Sequence, residues 1–486
     1  MIYKLRPYQE ECVKSISDYI NSDRHDPVLI VGPVGCGKSL LIAEAARLMG
    51  DKTLILQPSK ELLQQNHNKI TLYGIPATIY SASCGKKELS NMIYATLGSI
   101  KKVVGQLKEM GIRNVLIDEA HAGYSPEDGS EFMTFMNELK PKKVIGVTAT
   151  PCRLKTMSIG QVSYSQLNFI TRMRPVYFKN LIHVIQVEEM IRQGFWTPLK
   201  YETWDFNGDA LKLNSNGSEY TAESISEAVR KNGLNNLILR RLMVLKDVCR
   251  SILVFMDSVE SCNTAAEWMN AKICAGMAEV VHGGTPKKQR EAIVEGFKSG
   301  KTKVVFNYSA LGTGFDHPGL DCVIVGRPTF SFSSFYQWLG RAVRIKDGKG
   351  SALVVDCCNN SSRFGDIRKL SIENYKGYGW GMFIGDRLIT NIPMGDKVTK
   401  TDLDIKAAKK DRRRGLAQGI TASPVPGRPD HPLGSTVMTF GKYCGWMFHS
   451  IPVSYFKFIN ETFDWSNDRN REIKEYIDFL IKNNRL

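Results

Sequence analysis

The segment GPVGCGKS, residues 32–39, leaves this chain few options. It follows a short apolar run, VLIV (28–31), and precedes SLLIAEAARLM (39–49), whose apolar residues recur at helical spacing. Gly32, Gly35 and Gly37 let the backbone wrap closely, so that amide N–H groups face phosphate oxygens. Lys38 reaches the β- and γ-phosphates. Ser39 ligates Mg²⁺ and opens a helix whose N-terminal dipole favours anions. A strand, a glycine-rich loop and a helix in that order imply a parallel sheet covered by helices. The alternative, a glycine-rich turn without a ligand, leaves the flanking strand and helix unexplained.

A second stretch, NVLIDEAHAGY (114–124), runs an apolar strand into Asp118 and Glu119, with His121 two residues on. Two adjacent carboxylates at a buried strand end require a positive partner. The phosphate loop supplies the reason: Asp118 holds the Mg²⁺ that bridges the β- and γ-phosphates, and Glu119 orients and deprotonates an attacking water. His121 is expected to link this strand end to a second lobe, against the alternative of a surface loop histidine.

Strand candidates 28–31, 53–56, 77–82, 114–117 and 143–148 alternate with helical patterns at 39–49 and 59–70. The pattern returns in 251–255, 278–282, 303–307, 322–326 and 352–356, separated by helices at 258–271 and 287–300. The expected organisation is an ATP-binding α/β domain at 1–155, a connector at 156–234 with a helix at 188–195, and a second α/β domain at 235–365. A basic, Pro/Gly-rich linker at 366–434 and a small aromatic module at 435–486 complete it. The linker carries KAAKKDRRRG (406–415), whose Lys409, Lys410, Arg412, Arg413 and Arg414 would hold phosphates loosely, or else simply be solvated.

Lys and Arg total 65 against 49 Asp and Glu, a formal charge of +16, which favours a polyanionic partner. The N-terminus resembles no signal peptide, and no run of 18 or more apolar residues suggests a membrane span. The 11 cysteines are scattered and form no C-x-x-C pair, which argues against a zinc site and suits a reducing cytoplasm. The expected location is the cytoplasm of a bacterial cell, with the chain encoded by the cell or by a phage.

Further motifs follow in order: LRPYQ at the start, TATP (148–151), GTGFDHP (312–318), and QWLGRAVRI (337–345). With GPVGCGKS and DEAH, the set resembles superfamily 2 helicases and translocases over about residues 2–360. IYKLRPYQEECV and IRQGFWTP give it the flavour of bacterial RadD-like and phage UvsW-like DNA helicases. The resemblance implies two tandem RecA-like domains with ATP between them. Arg6 and Gln9 would read or stack on adenine. Arg341 and Arg344 would face the γ-phosphate from the second lobe, with Gln337 positioning that group. Gly314 and Asp316 would touch the nucleotide, and Thr148 and Thr150 would couple hydrolysis to movement.

The same resemblance matches strand-gripping positions to Pro58, Ser59, Lys60, Thr96, Ser99, Ser258 and Ser309. Each has a plain alternative as a helix cap or turn residue. RadD-like proteins carry a cysteine-rich tail that this chain lacks. Instead FGKYCGWMFHSIPVSYFKFI (440–459) resembles a small FGKYKG-type module, through Phe440, Lys442, Tyr443, Ile451, Pro452 and Tyr455. Lys442 and Tyr443 or Trp446 would contact nucleic acid, or the aromatics would form the module's core. One of Phe330, Phe332 or Phe335 would wedge a duplex junction, or all three would be core. The expected protein is a monomeric ATP- and Mg²⁺-dependent DNA helicase or translocase. It would act on single-stranded and branched DNA in recombination, repair or replication, with other proteins of those processes as partners. The alternatives are an RNA helicase, the motor subunit of a restriction system, and an ATP-gated DNA clamp that does not unwind.

Overall fold

In the computed structural model, residues 4–159, 162–311 and 315–407 are described, with 433, 436, 438, 443, 446–451, 453–462, 465 and 471–483 beyond them. The chain divides into two compact units, Met1–Ala407 and Ala408–Leu486.

The first unit contains two parallel sheets. The eight strands of the first lie in the order Asn180–Val184, Val28–Val31, Lys143–Thr148, Asn114–Asp118, Thr53–Leu56, Met92–Ala95, Thr78–Ser81 and Lys86–Lys87. Only the last pair is antiparallel. The central strands are buried along their whole length, which is why they read as unbroken apolar runs rather than alternating ones. Register is what positions chemistry: Val31 pairs with Thr148, and Asp118 with Val147. The phosphate loop, the DEAH segment and TATP therefore leave the sheet side by side at one carboxyl edge, where ligands of open α/β sheets bind.

The second sheet runs Leu199–Thr203, Ala352–Asp356, Cys322–Val325, Ile252–Phe255, Val304–Tyr308 and Ala278–His282, all parallel. Every strand expected from the sequence is present. Met92–Ala95 was not expected: four buried residues beside polar neighbours carry no periodicity of their own.

The expected connector is divided between the lobes. Asn180–Val184 joins the first sheet as an edge strand beside Val28–Val31, and Leu199–Thr203 joins the second beside Ala352–Asp356. Both are only partly buried, so neither presents a clean apolar run. The helix between them, Val187–Arg192, matches the expected one. The expected linker is also corrected at its start. Residues Leu370–Tyr375, Gly379–Ile384, Arg387–Leu388 and Val398–Thr399 form a four-stranded antiparallel sheet. Its glycines and short strands disguise it as loop composition.

An antiparallel hairpin, Cys152–Ile159 with Val162–Phe169, follows TATP directly. It is tied to the four-stranded sheet region by Asn391 N–H to the Leu167 carbonyl (2.6 Å) and Met394 N–H to the Ser165 carbonyl (2.8 Å).

The second unit carries helices Val453–Thr462 and Arg471–Lys482 over a core of Met438, Phe448, Ile451, Phe456, Ile459, Ile473, Tyr476, Ile477 and Leu480. Lys409, Lys410, Arg412, Arg413, Arg414, Phe440, Lys442 and Pro452 lie outside the described residues. No described helix is long and apolar enough to cross a membrane.

Gly146, in the central strand Lys143–Thr148, shows how closely this core is packed. A Cβ there would sit 2.7 Å from Phe178 and 2.9 Å from the Ala120 Cβ. Gly146→Ala is expected to destabilise the protein by roughly 1–3 kcal/mol, as other overpacked cores are, read as a lowered urea unfolding midpoint.

Candidate active site

The phosphate loop is held from three sides before any ligand enters. Gly35 and Gly37 have φ of 82° and 83°, a region that favours glycine. Gly37 caps the helix Lys38–Met49. From the N-terminal helix Pro7–Asn21, the Tyr8 hydroxyl (3.1 Å) and the Gln9 amide (2.9 Å) both donate to the Cys36 carbonyl. From the connector, the Trp196 indole N–H donates to the Val34 carbonyl at 2.8 Å.

Gln9 ties the N-terminal helix to the loop. Its carbonyl accepts from the Arg6 amide (3.0 Å) and one N–H of its NH₂ donates to the Cys36 carbonyl (2.9 Å). Arg6 lines the site's cavity, with its guanidinium 4.6 Å from the ring centroid of Phe195, which lines the same wall.

The cavity, about 290 Å³, brings the two lobes together. Lobe one contributes Gly35, Gly37, Lys38, Ser39, Asp118 and Glu119; lobe two contributes Asp316, Gln337, Gly340, Arg341 and Arg344. The helix Lys60–Leu72 adds Leu62, Gln65 and Lys69. Gly32 lies at the loop's entrance, where a Cβ would meet the Cys36 sulfur at 2.7 Å. Gly314 lies outside the described residues.

Electrostatics follow from burial. Lys38 Nζ is 3.4 Å from Glu119 Oε1, and His121 Nδ1 is 3.3 Å from Glu119 Oε2. Burial opposes ionisation of Glu119, but Lys38 and His121 outweigh it and hold the carboxyl below its ordinary range. Asp118 is pushed the other way, by burial and then by the Glu119 charge. Its oxygens accept from Asn66 Nδ2 (2.9 Å) and the Glu119 amide (2.9 Å). Burial lowers Arg341 to about 10 against the pull of Glu119, and lowers Arg344 to about 10, so both remain cationic at neutral pH. Arg344 pairs with Asp316, and Arg341 donates to the Phe315 carbonyl.

The wall thus presents five cationic side chains (Arg6, Lys38, Lys69, Arg341, Arg344) and three anionic ones (Asp118, Glu119, Asp316). That surplus suits a polyphosphate. A Mg²⁺ ion fits the donor set at Ser39 and Asp118, where buried carboxylates outnumber the one lysine between them.

Beside the cavity, His121 joins the lobes. Its Nδ1 is 2.8 Å from Thr148 Oγ1 and its Nε2 is 3.1 Å from Ser333 Oγ, on the second-lobe helix Phe332–Leu339. Ser333 also meets Thr150 Oγ1 at 3.1 Å. Ser333, Asn66, Lys69 and Phe195 were not among the expected residues.

The expected strand contacts are more mixed. Ser59 and Ser258 cap helices by accepting from the amides of Leu62 (3.3 Å) and Ser261 (3.1 Å). Thr96 and Ser99 bond each other at 3.2 Å, and Ser99 accepts from the Ala82 amide. Pro58 is exposed, Lys60 half-exposed, and Ser309 exposed with φ of 55°. Phe332 and Phe335 are fully buried, so neither is a wedge. Phe330 packs on Tyr220 at 5.5 Å. In the second unit the Tyr443 ring packs on Trp446 (5.5 Å) and Tyr455 (4.7 Å), as part of that unit's core.

A phosphate loop and strand-end carboxylates in one lobe, completed by arginines from a second, define a two-lobed P-loop nucleoside triphosphatase. Residues 2–153 match the family described as "Type III restriction enzyme, res subunit", and residues 235–346 match "Helicase conserved C-terminal domain". The chain belongs to the superfamily 2 helicases.

It is 25% identical over 332 residues to the "51.5 kDa protein" of a Lactococcus phage, a match covering 68% of this chain and 65% of that one. It is 25% identical over 376 residues to the ATP-dependent DNA helicase Hel308 of Pyrococcus horikoshii, covering 69% and 49%. The chain thus spans less than two thirds of either relative. The fold resembles that of the ATP-dependent Type ISP restriction-modification enzyme LlaBIII bound to DNA. That likeness has a TM-score of 0.55 at 16% identity, covering 73% of this chain and 28% of that one.

A carboxyl whose acidity is weakened by folding withdraws stability as pH rises from its ordinary range near 4 through its folded value. Asp118→Asn removes that loss. In the ligand-free protein it is expected to raise the melting temperature at neutral pH, with the gain shrinking toward pH 4. A pH-independent change would contradict the assigned direction.

Proposed function

We propose that the protein is an ATP-dependent DNA motor that translocates on single strands and unwinds or migrates branched DNA. The observation that carries the reading is the single cavity lined by Lys38, Asp118 and Glu119 from one lobe and by Gln337, Arg341 and Arg344 from the other. In this reading Ser39 and Asp118 hold the magnesium ion, which when bound neutralises phosphate charge.

Lys38 exchanges its contact with Glu119 for the β- and γ-phosphates. Glu119, held ionised by Lys38 and His121, is then the base that takes the proton of the attacking water. Arg341 and Arg344 meet the transferring phosphoryl group from across the cleft. A finger of this kind contributes about 10³–10⁵ in rate in related systems.

Because those arginines sit on the second lobe, hydrolysis and lobe position are one event. His121, Thr148, Thr150 and Ser333 report that event between the lobes. Strand contacts from both lobes, among Pro58, Ser59, Lys60, Thr96, Ser99, Ser258 and Ser309, then step along the backbone. Of the two capping serines, Ser59 only accepts and so keeps a hydroxyl proton to donate, whereas Ser258 already donates to the Ser261 hydroxyl at 3.0 Å.

Lys38→Ala and Glu119→Gln are each expected to abolish ATP hydrolysis, the second while keeping nucleotide affinity. Turnover surviving either change contradicts the assigned site. Ser333→Ala is expected to leave nucleotide affinity near wild type while reducing the stimulation of turnover by single-stranded DNA several-fold; unchanged stimulation removes the bridge from the coupling. Stronger stimulation by RNA than by DNA would favour an RNA helicase.

A restriction-type motor is favoured by one observation, the match of residues 2–153 to the restriction-subunit family. DNA-dependent ATPase with translocation but no strand separation on forks would support it.

A further inference from the structure

The arginines that face the nucleotide cavity stand just past a helix rather than on it. The helix Phe332–Leu339 ends at Gly340, and Arg341 to Arg344 follow on non-helical backbone. Carbonyls beyond a helix end have no partner within the helix, so other groups must satisfy them. Here three consecutive carbonyls are taken from outside the segment. The Thr197 amide donates to the Val343 carbonyl (2.8 Å), and the Thr197 hydroxyl donates to the Arg344 carbonyl (2.7 Å). The Lys349 ammonium donates to the carbonyls of Ala342 (2.7 Å) and Arg344 (2.8 Å). It also donates to the Pro318 carbonyl at 3.2 Å, at the end of GTGFDHP.

Thr197 belongs to the connector segment FWTP (195–198) and is 2% exposed. Its neighbour Trp196, equally buried, is the residue that donates to the Val34 carbonyl of the phosphate loop. A Cβ on Gly35 would lie 3.1 Å from the Val343 side chain and 3.4 Å from the Trp196 indole nitrogen. Two consecutive connector residues thus hold the two halves of the site. Trp196 grips the loop that carries Lys38, and Thr197 grips the backbone that carries Arg344. Consecutive Cα atoms are about 3.8 Å apart, so covalent geometry sets the spacing of the two grips.

We propose that Thr197 and Lys349 are positioning residues that hold Arg344 at the spacing phosphoryl transfer needs, with Trp196 as the tie to the phosphate loop. The proposal rests on the reading in which Arg341 and Arg344 meet the transferring phosphoryl group, and it names what aims them. A long side chain is aimed no better than its backbone is held.

The test uses the full chain, single-turnover ATP hydrolysis, and equilibrium binding of a fluorescent ATP analogue. Thr197→Val removes one hydroxyl and keeps the amide bond to Val343. The Arg344 carbonyl retains its bond from Lys349, so no buried acceptor is left unpaired. The variant is expected to slow hydrolysis by about ten- to a hundredfold, the order that misplacement by about an ångström costs, with nucleotide affinity within about twofold of wild type. Thr197→Ser restores the hydroxyl and is expected to recover the rate to within about threefold. Lys349→Met is expected to show the same split between rate and affinity.

Arg344→Ala is expected to cost about 10³ or more. Adding Thr197→Val to it should slow hydrolysis no further, because a residue that acts through Arg344 then has nothing left to aim. A multiplied loss in the double variant overturns the proposal. So does a loss confined to nucleotide affinity, or a loss that Thr197→Ser leaves unrecovered. Melting curves confirm folding, and should Thr197→Val fail to fold, Lys349→Met carries the same comparison, alone and with Arg344→Ala. A slow Arg344→Ala beside a Thr197→Val of wild-type rate overturns the positioning alone. Arg344→Ala turning over like wild type overturns the assignment of the arginine, and the proposal with it.

Discussion

The ion pair between Lys38 and Glu119 is the interaction on which the site's architecture turns. Two neighbouring carboxylates at the buried end of a strand would repel each other and resist ionisation. One lysine and one histidine resolve this unequally. Glu119 keeps its charge because Lys38 and His121 face it. Asp118 bears the remaining penalty, tempered by donors from Asn66 and the Glu119 amide. The result is a pair of adjacent carboxylates with different acidities, the division of labour that the proposed roles of base and cation ligand require. Glu119 itself adopts φ of 47°, a conformation a non-glycine residue holds only when its surroundings impose it.

That arrangement depends on sheet register. Lys38 follows the strand Val28–Val31, Asp118 ends Asn114–Asp118, and Thr148 ends the strand between them. A shift of one strand by two residues would carry Asp118 about 7 Å along the sheet, out of reach of the loop. The buried apolar strands thus act as the ruler for the chemistry, and the close fit of Gly146 against Phe178 and Ala120 is part of what holds that ruler fixed.

The second lobe is joined to this centre by short polar contacts and one tight apolar one. Ser333 meets His121 and Thr150, and a Cβ on Gly340 would lie 2.6 Å from Val34 of the phosphate loop. The lobes therefore meet at the loop itself. The hairpin after TATP adds a further link, since its base is fixed by Arg153 donating to the carbonyls of Ala120 and Tyr124 beside the DEAH segment. Its far strand bonds to residues 391–394, which connect two strands of the four-stranded sheet, so hydrogen bonds run from the DEAH segment through the hairpin to that region.

Much of this was legible in the chain itself. GPVGCGKS, DEAH, TATP and QWLGRAVRI are local, and each carries its chemistry in residues a few positions apart. The buried parallel strands announce themselves as short apolar runs. What the sequence could not disclose depends on side chains from distant segments sharing one space. Gln9 clasps the loop through the Cys36 carbonyl, a contact its place in the sequence does not announce. Asn66 reaches Asp118, and Lys69 and Phe195 reach the cavity, from a helix and a connector whose composition is ordinary. Ser333 gains its role only because the second lobe sets it against His121. Edge strands such as Asn180–Val184 are half-buried, so their pattern is weak until a neighbouring strand selects them. Covalent order determined which phosphate chemistry the chain can carry. Packing decided which side chains surround it, because burial and register are properties of segments brought together and of no single one.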